Sequence, residues 1–481
     1  MSQASNTNLT VYGHYRTGSD SASSSRAPGL SQRPSQTSIN TPTSALPPAR
    51  TTSFVVISGG TGGNAICSAF AQSPTSHVLP VSDDGGSSSE IIRVLGGPSI
   101  GDIRSRLVRL IPACPPGSPL DAIRNLLSYR LPTTLSDREA RDQWRDIVEG
   151  NSALWNGIPG DRKETIRGFL VYFESELLRR AHKNFSFVNG SIGNYFLAAA
   201  QNFFRSLPSA IFLFSSITNG NTAANALLPA IVTNHTVTIA AELDNGEKLV
   251  GQCEISHPVQ TLPALDGPPR FTLTDLDKTE DDDDGIQAGQ LNQNNAKFDH
   301  QAGKEEYRPL GARISRLYYI NAYGMEIHPS PNPEYINSLN RADVLVYSCG
   351  SLWTSIMPCL ALRGVASAIA RSRSLRAKIL LLNSKNDRET DGYSATDYVL
   401  AIANTLNTQY GHGRAYAGLG NATTRYPISA FVTDLVYTQE AQVDVDVAKI
   451  TVSPFVLRRI LLLTIIAVVG RTMHTHRGSL L

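Results

Sequence analysis

Three consecutive segments between Phe54 and Arg104 follow one pattern, and this pattern limits the folds that the chain can adopt. They read FVVISGGTGGNAICSAF, HVLPVSDDGGSSSEIIRVL and GGPSIGDIRSRLVRL. Each has an apolar run or a turn, then glycine or serine, then an amphipathic helical pattern. Strands that alternate with helices predict a parallel sheet, and the helices then begin at its carboxyl edge. Backbone N–H groups from several helix starts would gather there, which suits a phosphate-bearing ligand.

The same pattern returns after residue 340. ADVLVYSCGSLWTSIMPCLAL and KILLLNSKNDRETDGYSATDYVLAIANTL each combine an apolar strand, a loop of small or polar residues and a helix. In the second segment, Ser394 and Asp397 have the spacing of a capping box. We therefore predict an α/β fold with a Rossmann-like, doubly wound, mostly parallel sheet built from both blocks, with a β-hairpin and helical insertions. The hairpin is expected at Asn245-Gly246, with positive φ at both turn residues.

Changes in composition divide the chain into regions. Residues 1–53 are rich in Ser, Thr and Pro, which predicts a disordered tail. Residues 54–440 are predicted to form a single α/β nucleotide-binding domain. An acidic, disordered insertion that contains EDDDD is expected to interrupt this domain at about residues 262–310. Residues 441–481 follow as a C-terminal extension whose order the pattern does not determine.

Charge and apolar runs exclude some partners. The net charge of +2 over 481 residues gives no general attraction to nucleic acid. The apolar run Ile460–Val469 is shorter than the ~20 residues that a bilayer span needs, so we expect no membrane partner. The five cysteines lack CxxC spacing, which favours a reducing compartment. We expect a cytoplasmic protein, with mitochondrial targeting left open because the tail has four arginines and one acid, Asp20.

A glycine-rich loop separates the first strand from its helix. The sequence GGTGG allows a tight turn and a close approach of the backbone to a ligand. A Walker A loop would end in Gly-Lys-Ser/Thr, and this loop has no lysine. The spacing Gly60-x-Gly62-x-x-Ala65 also fits a loose dinucleotide fingerprint with Asp83 downstream, so a NAD-dependent oxidoreductase stays an alternative. The predicted phosphate-binding residues are Gly60, Thr61, Gly62 and Gly63.

Two adjacent acids end the second strand. Asp83 and Asp84 precede two glycines and a serine run. Paired carboxylates beside a phosphate pocket suit Mg²⁺, which takes one or two carboxylates together with phosphate oxygens. They also suit a general base that accepts the proton of an attacking hydroxyl. We therefore predict Asp83 and Asp84 as catalytic residues and as Mg²⁺ ligands, and Ser87 with Glu90 as the capping box of the next helix.

Polar residues also occur at three further helix starts. Asp102 is either an N-cap or a ligand contact, and Arg104 lies in a first turn where the helix dipole disfavours a cation unless an anion offsets it. Asn194 offers a donor and an acceptor after small residues. Ser351 and Thr354 place hydroxyls at a helix start after a buried strand. These five residues are predicted to complete the ligand-binding pocket.

The ordered set of motifs resembles the family that unites 2-phospho-L-lactate transferase with the bacterial gluconeogenesis factor. The motifs are GGTGG, SDDGGSS, GDIR, SIGN, Leu228-Pro229-Ala230, GSLWTSIMP and ETDG. They cover roughly residues 54–258 and 311–405 and are closer to the gluconeogenesis-factor branch. That branch has glycine where this chain has Ser89, and Gly-Pro where it has Ser348-Cys349. The tail, the acidic insertion and the C-terminal extension are interpreted as eukaryotic additions.

The resemblance implies a ligand class and two functions. The ligand is a guanine nucleotide (GDP or GTP) in the transferase branch and a UDP-sugar in the other branch. One implied function is a Mg²⁺-dependent transferase of a phosphate-containing group. The other is a non-catalytic metabolic regulator that senses a UDP-sugar. The expected partner is therefore a small-molecule nucleotide, and a homodimer is left open.

Overall fold

We describe the fold from a computed structural model of the chain. The structure describes residues 51–83, 85–219, 225–257, 309–408, 425–451 and 459–463, so nearly all of the predicted tail and of the predicted insertion lies outside the described residues. The strands in these ranges are β1 (Phe54–Ile57), β2 (Thr75–Leu79), β3 (Asn225–Pro229), β4 (Thr238–Leu243), β5 (Lys248–Val250), β6 (Ile314–Ile320), β7 (Glu326–Ile327), β8 (Val344–Tyr347), β9 (Ala377–Leu381), β10 (Asp434–Thr438) and β11 (Arg459–Leu463).

Seven parallel strands form the main sheet, in the order β11-β10-β9-β8-β1-β2-β3. In this sheet Phe54 of β1 lies beside Thr75 of β2 on one side and beside Val344 of β8 on the other. From β1 the chain first adds β2 and β3 on one side, and it later adds β8 to β11 on the other. The strand order therefore reverses between β1 and β8. The predicted doubly wound, parallel α/β sheet is confirmed, and both sequence blocks contribute to it.

Four antiparallel strands form a second sheet, in the order β5-β4-β6-β7. Thr238 of β4 lies beside Ile320 of β6, so this sheet also joins the two blocks. The predicted hairpin joins β4 and β5, but its turn differs from our prediction. Of the two turn residues only Gly246 has a positive φ, +86°. The Gly246 N–H donates to the Leu243 carbonyl (2.9 Å), as in a three-residue loop with one left-handed glycine, so Asn245 needs no strained backbone.

The helices connect the strands and carry most of the core. Trp144 and Phe173 both pack on Tyr195, with ring centroids 5.1 and 4.6 Å from it. A π-helical turn, Leu352–Ile356, follows the loop after β8. The α-helices in the described ranges are α1 (Thr61–Ile66), α2 (Gly86–Leu95), α3 (Gly101–Arg109), α4 (Pro119–Ser128), α5 (Asp137–Glu149), α6 (Gly160–Leu178), α7 (Ile192–Phe204), α8 (Leu207–Ile217), α9 (Gln252–Ser256), α10 (Pro333–Arg341), α11 (Met357–Leu360), α12 (Val365–Arg371), α13 (Ala395–Leu406) and α14 (Val447–Thr451).

One predicted capping box is confirmed and one is wrong. Ser394 and Asp397 cap α13 reciprocally, with side chain to backbone bonds in both directions. At α2 the residue before the first turn is Gly85, and no side chain caps the helix. The helix begins at Gly86, so Ser87 already lies inside the first turn and cannot act as the N-cap.

The predicted C-terminal extension contributes a strand to the main sheet. β11 pairs in parallel with β10, with Asp434 beside Arg459. Within the described ranges no single helix is long and apolar enough to cross a membrane, although Leu352–Leu360 and Val365–Arg371 meet that test together as a bent pair.

Candidate functional site

The candidate site lies at the carboxyl ends of β1 and β8, where the strand order reverses. Ligands of open α/β sheets bind in the crevice at such a switch point. After β1, the segment Gly59–Gly63 forms a short loop that leads into the first residues of α1, and the loop after β8 contains Ser348–Ser351. The two loops touch, because the Ser348 N–H donates to the Ile57 carbonyl (3.0 Å) and the Cys349 Sγ lies 3.6 Å from the Gly62 carbonyl oxygen.

The glycines of the first loop allow close contact between protein segments. A Cβ at Gly62 would lie 2.7 Å from the Cys349 carbonyl oxygen, and one at Gly59 would collide with the Ser355 hydroxyl. A Cβ at Gly60 would collide with the Asp102 carboxylate. Each glycine therefore permits a neighbour from another element to approach. The predicted role in phosphate binding stays a prediction, and the side chain of Thr61 lies outside the described residues.

Arg106, on α3, supports the glycine loop from inside the protein. It is fully buried, and its Nη2 donates to the Ser58 hydroxyl (3.0 Å) and to the Gly59 carbonyl (3.1 Å). Its Nε donates to the Asn64 side chain (2.7 Å). Our sequence reasoning missed Arg106. One sequence feature could have indicated it. Arg106 lies one turn after Asp102 on the same face of an amphipathic helix, and an arginine on a buried face needs a partner.

Burial and a neighbouring negative charge raise the pKa of the Asp102 carboxyl group. It lies in the first turn of α3 beside the Gly60 backbone, and the N-cap residue is Ile100 rather than Asp102. Burial first, and then the negative charge of Asp83, raise the pKa of Asp102 to about 7. Asp83 itself accepts a hydrogen bond from the Gly85 N–H (2.9 Å). The structure thus brings together two predicted carboxylate residues, one from the segment after β2 and one from the first turn of α3, while Asp84 lies outside the described residues.

Arg104 and Asn194, two of the residues predicted for the pocket, are in contact. The Nε of Arg104 donates to the Asn194 Oδ1 (2.9 Å), which joins the first turns of α3 and α7. Arg104 is 8% exposed. Burial first, and then the charge of Arg130, lower the pKa of Arg104 to about 10, while the charge of Asp102 opposes this shift.

The Glu389 carboxylate binds the N-terminal end of the π-helical turn Leu352–Ile356, which contains Thr354 and has Ser351 as its N-cap. Its carboxylate accepts from the backbone N–H groups of Trp353 (3.0 Å) and Thr354 (3.1 Å), from the Thr354 hydroxyl (2.5 Å) and from the Ser256 hydroxyl (2.7 Å). Burial first, and then the charge of Asp387, raise the pKa of Glu389 to about 7. The hydroxyl of Thr354 is therefore engaged by the protein, whereas Ser351 is partly exposed at the N-cap. Sequence reasoning did not assign Glu389 to this site.

The carboxylates fit a hard divalent cation. Asp83 and Asp102 repel one another, and a bound cation would relieve this repulsion. Within the described ranges no group of three or more His, Cys, Asp or Glu residues is arranged to hold a metal. Mg²⁺ does not need such a group, because it usually takes one or two carboxylates and completes its shell with water and phosphate oxygens.

Comparison with known proteins identifies the family. A family model described as 2-phospho-L-lactate transferase CofD matches residues 54–454, most of the described part of the chain. The chain belongs to the CofD family. The resemblance that the motifs indicated is therefore confirmed.

The chain is also similar to individual proteins and to a solved structure. An uncharacterized protein from Saccharomyces cerevisiae is 34% identical over 416 residues, which are 82% of this chain and 91% of the yeast protein. A gluconeogenesis factor from Halalkalibacterium halodurans is 32% identical over 100 residues, which are 21% of this chain and 29% of that protein. A crystal structure of a UPF0052-family protein from Bacillus halodurans superposes with a TM-score of 0.51. It covers 86% of this chain and 92% of its own at 18% identity, which shows the shared fold alone.

Proposed function

We propose that this protein binds a nucleotide or nucleotide-sugar at the switch point between β1 and β8. The observation that carries the proposal is the convergence of the glycine loop, two carboxylates and Arg104 at that edge of the sheet. A diphosphate needs hydrogen-bond donors and positive charge, which the loops and Arg104 supply. Guanine and uridine nucleotides are the ligand classes that we propose.

We further propose Asp83 and Asp102 as the residues that hold Mg²⁺. The Asp102 carboxylate lies beside Gly60, close to where the diphosphate would lie, and it is near enough to Asp83 for the two charges to interact. When bound, the ion would neutralise part of the diphosphate charge and orient its oxygens.

As a transferase, the protein would use Asp84, one of the two carboxylates that the sequence predicts to be catalytic, as the general base. The acceptor hydroxyl would lose its proton to Asp84 as its oxygen forms a bond to phosphorus. The bond between that phosphorus and the bridging oxygen of the diphosphate would break, and a nucleoside monophosphate would leave with both bonding electrons.

A non-catalytic regulator is the second candidate, because a matched relative is named as a gluconeogenesis factor. The same pocket would then sense a UDP-sugar without turnover. Long incubation with nucleotide ligands and candidate hydroxyl acceptors separates the two functions. Tight binding without release of a nucleoside monophosphate would favour the regulator.

A thermal-shift panel of GDP, GTP, UDP-sugars and NAD, with and without Mg²⁺, tests the proposed ligand class. A ligand at 100 times its Kd stabilises the folded protein by ~2.7 kcal/mol, which a shift in Tm would reveal. We expect Asp102→Asn to abolish the Mg²⁺-dependent part of the shift. Asp142→Asn is the control, since Asp142 is an exposed carboxylate on α5. The absence of any nucleotide-dependent shift would refute the proposed function.

A further inference from the structure

The first turn of α7 carries an unusual concentration of positive charge. Arg104 approaches it from α3, and the Cγ and Cδ of Arg104 would lie about 3 Å from a Cβ at Gly193. Arg130 approaches it from the chain after α4, where it forms an antiparallel bridge with Ser191. Two guanidinium groups thus flank a helix N-terminus, whose dipole is itself positive.

The donors of these arginines are only partly used by the protein. Arg104 is more than nine-tenths buried, yet only its Nε has a hydrogen-bond partner among the described residues, the side chain of Asn194. Arg130 is exposed to solvent, and its Nη1 donates to the Asn189 carbonyl (2.7 Å). Within the described ranges, both Nη atoms of Arg104 and the Nη2 and Nε of Arg130 have no hydrogen-bond partner from the protein.

An unsatisfied hydroxyl lies at the same place. Ser191 is the N-cap residue of α7 and is fully buried, but no side chain caps this helix. The Ser191 Oγ has no hydrogen-bond partner within the described part of the chain. A buried polar group without a partner is costly, and a bound acceptor would satisfy it.

Among the described residues, the acids near the two arginines also interact with other groups. Asp102 lies beside Gly60, where it also interacts electrostatically with Asp83 and Arg106. Glu90, the other acid near this turn, is paired with Arg93 through two hydrogen bonds of 2.7 and 2.8 Å. The described residues therefore leave excess positive charge at the start of α7, which an anion would balance.

We propose that the first turn of α7 is a second anion-binding subsite, in which Arg104, Arg130 and Ser191 bind a phosphate or carboxylate group. This inference rests on the proposed function for its context, because the subsite would hold an anionic group that the ligand or acceptor carries beyond the diphosphate at the glycine loop. Charged N–H groups and a hydroxyl are the donors that both anions prefer. Arg104 and Asn194 connect the two positions through α3.

Isothermal titration with inorganic phosphate, at constant ionic strength, tests the subsite directly. Arg130→Met should weaken phosphate binding about tenfold, as expected for the loss of a charge-assisted pair. Ser191→Ala should weaken it by roughly three- to fivefold. Arg109→Met is the matched control, because Arg109 is exposed at the far end of α3, and it should change the affinity by less than about twofold.

The outcomes separate this inference from the proposed function. Equal phosphate affinity in Arg130→Met and Arg109→Met would overturn the subsite, even if nucleotides bind. Phosphate binding that depends on Arg130, in a protein that binds no nucleotide, would support the subsite and refute the proposed function. A titration with acetate in place of phosphate shows which anion the subsite prefers. Weaker binding of phosphate or of acetate by Arg130→Met supports the subsite.

Discussion

Asp102 keeps its proton up to a higher pH in the folded protein than in the unfolded chain. Its pKa of about 7 lies above the value of about 3.9 in an unfolded chain, so between these two pH values the folded protein holds the extra proton. The free energy of unfolding therefore falls as the pH rises from about 4 to about 7, and it stays lower above that window. A raised carboxyl pKa thus destabilises the ligand-free protein at neutral pH.

Asp102→Asn should remove this pH-dependent loss. At pH 8, without ligand, we expect the variant to be more stable than the wild type by on the order of 1–3 kcal/mol, measured by urea unfolding. Near pH 2.5 the two proteins should be alike, because Asp102 is then neutral in both the folded and the unfolded state. Added Mg²⁺ should stabilise the wild type at pH 8 and leave the variant unchanged. An equal slope of stability against pH in both proteins would contradict this account.

Gly62 is the residue at which the two loops of the switch point meet. Gly62→Ala would place a Cβ 2.7 Å from a backbone carbonyl oxygen, which cannot move as a flexible side chain can. We expect a loss of about 1–3 kcal/mol in thermal unfolding. Gly168→Ala is the control, because Gly168 lies inside α6 with open space around it, and alanine should stabilise that helix by up to about 1 kcal/mol. Similar effects of the two substitutions would show that the loops are not in close contact.

Sequence reasoning assigned to one pocket several residues that adjoin glycine or serine motifs, and the structure places some of these residues close together. Asp83, Asp102, Arg104 and Asn194 were assigned to one pocket because each follows a strand or begins a helix, and the sheet edge gathers such positions. Arg106 and Glu389 were missed for a common reason. Their partners lie 48 and 35 residues away at Ser58 and Thr354, and no local pattern reports a contact that the tertiary fold creates.

At the scale of elements, the strands and helices followed from periodicity, whereas the helix starts did not. The capping box of α13 was predictable because its helix begins where the serine stands. At α2 a glycine begins the helix instead, and the spacing of Ser87 and Glu90 was coincidental. The hairpin was predictable from Asn245-Gly246, but the type of turn depends on the pairing of β4 with β5 and not on two residues alone.

Glu389 joins three elements that are distant in the sequence, and its removal should loosen them together. Glu389→Ala would leave the N–H groups of Trp353 and Thr354 without their acceptor, at a cost of about 3 kcal/mol. Amide hydrogen exchange should then lose protection in Leu352–Ile356 and in Gln252–Ser256, where Ser256 also binds the carboxylate. Glu164→Ala, on an exposed ion pair of α6, should leave both segments protected. Faster exchange in only one of the segments would mean that Glu389 does not couple them.

At the scale of the whole molecule, the two sequence blocks form one structure because each sheet contains strands from both. β8 of the second block lies between β1 and β9, and β4 of the first block pairs with β6 of the second. The alternation of strands and helices predicted a shared sheet. The position of β8 next to β1 was not predictable, because strand order depends on which apolar faces pack together across the whole chain.

A cut within the acidic segment tests this interdependence. A specific protease site placed at Glu280–Asp284 should be cleavable, and the two halves should stay together through the pairs β1–β8 and β4–β6. Size-exclusion chromatography in native buffer should give one peak at the position of the uncut protein, and urea should separate the halves. The uncut chain with the same site is the control. Two peaks in native buffer would show that the inter-block strand pairs do not hold the molecule together, and the composite site at the β1–β8 switch point would then depend on an intact connection.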